Sequence, residues 1–133
     1  MKMLVVDDEL VSRKKMEKIL QHYGVCHAVD SGKAAIEAYT QALLIREPFD
    51  LITLDVSMPG MGGTEVLLMI RILERKNSIP KDKQVKILMV TSHADQETVM
   101  ASIEAGCDDY IKKPFSLERV TRKLNKIGLT TPT

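Results

Sequence analysis

Met3-Leu4-Val5-Val6-Asp7-Asp8-Glu9 runs from four apolar residues straight into three acids. Successive apolar positions of this kind read as a strand covered on both faces, the mark of a parallel sheet between helix layers. The pattern recurs at Asp50 to Asp55 (DLITLD) and at Val85 to Thr91 (VKILMVT). Val25 to Val29 and the short Asp109 to Lys112 are two further strand candidates.

The segments between them read as helices. In Glu9–Tyr23, the residues Val11, Met16, Ile19, Leu20 and Tyr23 are expected on one side. In Ser116–Ile127, Leu117, Val120, Leu124 and Ile127 repeat at helical spacing. Gly24, Gly106 and Gly128 follow the last periodic residues, as C-terminal caps would. Pro48 stops the second helix and Pro80 closes the loop after the third. The order βαβαβαβαβα predicts a doubly wound α/β domain, a three-layer αβα sandwich with right-handed crossovers.

The chain is 133 residues long, which suits one domain. Surface scaling predicts roughly 7,000 Å² exposed after folding, enough burial for a core without staples. Hydrophobic residues make up 44% and charged residues 28%, which argues against disorder. A net charge of +1 argues against a protein that coats nucleic acid or an anionic membrane. No apolar run reaches the roughly 18 residues of a membrane span, and Asp7 and Asp8 come too early for a signal peptide. Cys26 and Cys107, far apart and without a Cys-x-x-Cys pattern, read as reduced core thiols of a cytoplasmic protein.

In open α/β sheets, ligands bind outside the carboxyl ends of the strands. The first strand delivers Asp7 and Asp8 there, and the third delivers Asp55. The fourth delivers Thr91 and Ser92, and the fifth Lys112 and Lys113 before Pro114. Two carboxylates at ~4 Å repel by about 4 kcal/mol at an effective dielectric of 20. A hard divalent ion resolves that conflict, and Mg²⁺ takes oxygen ligands and is typically shared with a phosphate. Asp55 could then also attack phosphorus to form an acyl phosphate, with Lys and Thr each holding one phosphoryl oxygen.

At this point the chain resembles the response-regulator receiver domain of two-component signalling. The resemblance rests on Leu4-Val5-Val6-Asp7-Asp8-Glu9, on Asp55-Val56-Ser57-Met58-Pro59-Gly60-Met61-Gly62-Gly63 and on Val90-Thr91-Ser92. Ala105-Gly106-Cys107-Asp108-Asp109-Tyr110 and Lys113-Pro114-Phe115 complete it. It implies a flavodoxin-like five-stranded parallel sheet of order 2-1-3-4-5. It implies Asp55 as the residue phosphorylated from a histidine kinase or phosphotransfer protein, and Mg²⁺ (or Mn²⁺) held by Asp7, Asp8, Asp55 and the Ser57 backbone carbonyl. Thr91 and Lys113 would bind phosphoryl oxygens, Thr91 and Tyr110 would form the switch, and the Lys113–Pro114 bond would be cis. The output face would be the fourth helix, fifth strand and fifth helix. The chain would catalyse only its own phosphorylation and dephosphorylation. On this reading residues 1–128 form the receiver domain and 129–133 a short tail. That leaves no room for a DNA-binding domain, so the output is expected to be a protein partner.

Some features depart from the family. Gly62 stands where Asp or Asn is usual. The stretch from Gly32 to Asp55 is longer than usual, and so is that from Asp55 to Thr91, with Asn77 to Lys83 as the extra loop. The third helix is apolar almost all round. Its expected cover is the second helix, through Leu43, Leu44 and Ile45; the other option is a docking or dimer face. Ser57 and His93 flank the site, at positions that influence phosphoryl lifetime in this family. Two rivals remain. An aspartate-nucleophile phosphohydrolase typically needs Asp-x-Asp, which Asp55-Val56-Ser57 lacks. A phosphate-independent interaction module on the same fold would have no use for the full set of acids, Thr91 and Lys113.

Overall fold

The computed structural model describes residues 1–92 and 96–130; His93 lies outside them. The elements are β1 (Lys2–Val6), α1 (Leu10–Leu20), β2 (Val25–Val29), α2 (Gly32–Leu44), β3 (Leu51–Asp55) and α3 (Gly63–Lys76). A 3-10 turn at Lys81–Lys83 leads to β4 (Lys86–Thr91), α4 (Gln96–Ala105), β5 (Asp109–Lys112) and α5 (Leu117–Lys126). All five strands are parallel, in the order β2-β1-β3-β4-β5. The expected strand order is therefore observed. The Lys113–Pro114 bond is cis.

Strand alternation splits the core in two. Leu4 and Val6 of β1, Ile52 and Leu54 of β3, and Ile87 and Met89 of β4 face α2 and α3, meeting Tyr39, Val66, Leu67 and Ile70. Met3, Val5, Leu51, Leu88 and Val90 face the other way, meeting Met16, Leu20, Val120 and Leu124 of α1 and α5. Nearly every residue of β1, β3 and β4 is buried, while the edge strand β2 is half-exposed. This is why three strands lacked alternation in the sequence. The molecule exposes 7590 Å², close to the scaling expectation. No described helix is long and apolar enough to cross a membrane.

Several local expectations need correction. Val11 is 77% exposed. It lies roughly 140° around α1 from Met16 at 100° per residue, off the buried face. Leu117, in the first turn of α5, is also exposed. Gly24 is not the cap of α1, which ends at Leu20; Gln21, His22 and Tyr23 intervene. Gly128 does cap α5. At φ 83° it donates to the Asn125 carbonyl at 3.1 Å, and Leu129 donates to Leu124 at 3.0 Å, closing a Schellman motif. Cys26 and Cys107 are free, but half-buried rather than in the core. Burial pushes their thiols up, to about 12 and about 11 respectively. Helices α2 and α3 do pack together, but of the expected partners only Leu43 joins the core; Leu44 and Ile45 are exposed.

Candidate functional site

The parallel strands deliver their carboxyl ends to one edge of the sheet, so the residues following β1, β3, β4 and β5 become neighbours. Asp7 follows β1 and is buried; Asp8 follows it and is exposed. Asp55 ends β3 and is buried. Carboxylate oxygens of Asp7, Asp8 and Asp55 all lie within 4.8 Å of one another. Lys113, just past β5, places Nζ 3.1 Å from Asp7 Oδ2 and 3.6 Å from Asp55 Oδ2. A cavity of about 390 Å³ is lined by Asp8, Glu9, Asp55, Ser57, Ser92 and Lys113. The predicted acids and the lysine therefore converge.

Local geometry shows what the acids are not used for. An acidic pair after a strand is often a helix cap. Here the N-cap of α1 is Glu9, without a side-chain cap bond. Asp7 Oδ1 accepts the Glu9 N–H at 2.9 Å. Asp8 has no hydrogen bond or ion pair among the described residues. At the end of β3, Asp55 Oδ1 accepts the Ser57 N–H at 3.3 Å. Helix α3 starts hard against this strand end. A Cβ on Gly63 would lie 2.2 Å from the Asp55 carbonyl oxygen, so only glycine permits the approach.

Thr91 ends β4 and is buried, and its carbonyl accepts the Lys113 N–H at 2.8 Å. This bond couples the backbone of the threonine to that of the lysine. Tyr110 is half-buried on β5, with Lys123 Nζ 4.9 Å from its ring centroid. Lys112 ends β5 but is exposed and does not line the cavity.

The sequence reading missed two contributors. Glu9 Oε1 lies 3.4 Å from Lys113 Nζ and accepts the Ser12 hydroxyl at 2.6 Å. Arg13 donates to the Asp7 carbonyl at 3.0 Å and anchors the acidic turn. Glu9, Ser12 and Arg13 share helical spacing at the start of α1. That spacing alone does not say that this helix end faces Lys113.

Three carboxylates around one ammonium leave excess negative charge. Burial pushes the Asp55 carboxyl up to about 7; the neighbouring Asp7 charge adds to this, while Lys113 and the Ser57 N–H oppose it. Burial works against the Lys113 ammonium, but Asp7, Asp55 and Glu9 outweigh it and hold the lysine above its usual value. The Ser12 hydroxyl, then Lys113, lower Glu9. Hard oxygen donors, an unpaired exposed acid and a destabilised Asp55 anion fit a small divalent cation such as Mg²⁺ or Mn²⁺.

The sequence profile of the response regulator receiver domain matches residues 3–125. The chemotaxis protein CheY-3 of Vibrio cholerae is 33% identical over 129 residues, covering 96% of this chain and 91% of that protein. The chemotaxis protein CheY of Bacillus subtilis is 33% identical over 127 residues, covering 94% and 95% respectively. Among solved structures, the receiver domain of the histidine kinase CKI1 from Arabidopsis thaliana, complexed with Mg²⁺ and BeF₃⁻, superposes with a TM-score of 0.83. It is 32% identical, and the match covers 97% of this chain and 90% of that one. Vibrio cholerae CheY4 gives a TM-score of 0.77 at 28% identity, covering 95% and 97%.

Proposed function

The chain belongs to the response regulator receiver domain family of two-component signalling, and from that premise we propose that Asp55 is its phosphoacceptor. The observation that carries this is the convergence of Asp7, Asp8, Asp55 and Lys113 on one cavity. An Asp55 carboxylate oxygen attacks the phosphorus of a phosphohistidine. The P–N bond breaks, and its electron pair leaves with the imidazole nitrogen. Lys113, already 3.6 Å from Asp55, pairs with one phosphoryl oxygen, and the Thr91 hydroxyl binds another. The reaction asks mainly for positioning and charge stabilisation, which these fixed groups supply.

Asp7, Asp8, Asp55 and the Ser57 backbone carbonyl would hold Mg²⁺ or Mn²⁺. When bound, the ion supplies positive charge against the transferring oxygens. The Mg²⁺ of the CKI1 receiver supports this assignment. Asp55 must be ionised to attack, and it titrates near 7 beside its fellow acids without a cation, so divalent binding and nucleophile ionisation go together.

The phosphorylated state pulls Thr91 toward the phosphoryl group, and Tyr110 turns into the space it leaves. The surface made by α4, β5 and α5 then favours a downstream protein partner. Phosphorylation biases an existing equilibrium; a full reversal from 1:99 to 99:1 takes about 5.5 kcal/mol. The phosphoryl donor is a histidine kinase or a histidine phosphotransfer protein, met in the cytoplasm.

The test is intact mass after incubation with acetyl phosphate, with and without Mg²⁺. One added phosphoryl group that requires Mg²⁺ and disappears in Asp55→Asn is the expected result. Equal labelling of wild type and Asp55→Asn places the acceptor elsewhere. No labelling at all makes the chain a phosphate-independent interaction module. Multiple turnover of a small phosphoester would instead identify a phosphohydrolase.

A further inference from the structure

The opposite end of the sheet holds a cavity that phosphoryl chemistry does not use. It lies where the α2–β3 and α3–β4 connections meet, roughly 13 Å along β3 from Asp55. These are the two stretches whose sequence runs longer than the family pattern. The cavity measures about 250 Å³. Tyr39, Phe49 and Val85, all buried, form its floor, and Leu43 and Ile79 line its wall. Two exposed cations, Arg46 and Lys83, complete its rim, and no carboxylate lines it.

The charged groups around the cavity divide into paired and unpaired. Tyr39 lies in the floor near Glu74, and that buried carboxylate is paired with Arg71 at 2.7 Å. Tyr39, Phe49 and Val85 thus give the cavity a largely apolar floor. The Arg46 and Lys83 side chains have no hydrogen-bond or ion-pair partner among the described residues. Arg46 also adopts a left-handed backbone conformation, φ 59°, at a helix-capping position where glycine is the default. Its carbonyl-capping bonds, Arg46 N–H to Leu43 and Glu47 N–H to Ala42, fix the loop that carries this cation.

An apolar floor under two uncommitted cations selects a ligand with a matching split. The volume falls below the roughly 300–1,000 Å³ of drug-sized pockets, so the occupant is fragment-sized. We propose that this cavity binds a small amphipathic anion, with an aromatic or alkyl tail against Tyr39 and Phe49 and an anionic head group held by Arg46 and Lys83. The head group is a carboxylate or a phosphate monoester, since a guanidinium binds both well. This site is independent of the reading of Asp55, and Asp55→Asn is expected to bind the same ligand equally.

The test is an amide NMR titration of the full chain with phenylbutyrate, phenylpropyl phosphate and the neutral phenylbutanol. Saturable shifts centred on Tyr39, Leu43, Phe49, Ile79 and Val85 are expected, with a dissociation constant on the order of 1 mM for a fragment of this size. The anions should bind about fivefold more tightly than the alcohol. The better anion identifies the head group. In a chain carrying Arg46→Gly and Lys83→Gln, the anions should fall to the level of the alcohol while the alcohol is unaffected. Arg46→Gly relieves the left-handed residue, so folding is not at risk. Three results would overturn the proposal. They are shifts that do not saturate roughly tenfold above that concentration, equal binding of anion and alcohol, and undiminished anion binding in the double variant.

Discussion

Asp55 competes with Asp7 for a single ammonium, and Lys113 sits closer to Asp7, at 3.1 Å against 3.6 Å. Burial first and the Asp7 charge second raise the Asp55 carboxyl to about 7. A carboxyl raised in the folded state stabilises the fold below its unfolded value of about 3.9, and that stability is lost as pH rises through the folded value. The metal-free chain is thus expected to lose about 1–2 kcal/mol between roughly pH 5 and pH 7, after allowance for solvent screening, and to level off above that. Asp55→Asn should abolish that slope, and Mg²⁺ should flatten it in the wild type. Thermal melts at both pH values, with Mg²⁺ or with chelator, check this; a flat metal-free wild type would refute it. The acids and Lys113 were legible because each sits at a strand end, and strand ends are visible in sequence. Glu9 and Arg13 were not, because their contacts depend on how α1 is seated.

Among the elements, α3 shows what a departure from the family pattern does. Gly62 is its N-cap and supplies no side-chain cap bond, whereas Ser31 and Ser116 cap α2 and α5 by accepting the N–H of Ala34 and Arg119. The Gly62 backbone (φ −74°, ψ 166°) suits any residue, and a Cβ there meets only the Val56 carbonyl, at 3.5 Å. Gly62→Asn is therefore expected to stabilise the chain by about 0.5 kcal/mol, read as a higher urea midpoint at unchanged slope. An unchanged or lower midpoint would mean that the loop beside Asp55 needs the glycine. The apolar surface of α3 also divides in a way that periodicity hides. Val66, Leu67 and Ile70 are buried, while Leu68, Met69 and Ile72 are exposed. An all-round apolar helix reads as fully covered, but here the partner helix α2 covers one side only.

At the scale of the molecule, a polar network centred on buried Glu74 ties α3 to the segments leading into β4 and β5. Arg71 donates to Glu74 at 2.7 Å, to the Val85 carbonyl at 2.9 Å, to the Gly106 carbonyl at 3.0 Å and to Asp108 at 3.0 Å. Glu74, fully buried, also accepts the Val85 N–H at 2.8 Å. Removing one member strands a buried charge, so Arg71→Met is expected to cost about 3–5 kcal/mol. The pair Arg71→Met with Glu74→Leu should recover part of that loss, apart from the Val85 N–H and the carbonyls left unbonded. Urea denaturation of the three chains checks this, and a single variant as stable as wild type would show that Arg71 is not structural. Nothing in the chain order marked this network. Arg71 and Glu74 look like an ordinary surface pair three residues apart, and Asp108 like a turn residue. The layer architecture was readable because uninterrupted apolar runs and their alternation with helices are local consequences of burial on both faces. The chemistry at the strand ends followed from that architecture, since parallel strands bring their carboxyl ends together wherever they lie in sequence. Three matters waited for the folded molecule: which groups Lys113 divides itself among, which cations at the far end are left without partners, and which charges α3 buries. They are set by distances of a few ångströms between segments far apart in the chain, and local sequence carries no information about such distances.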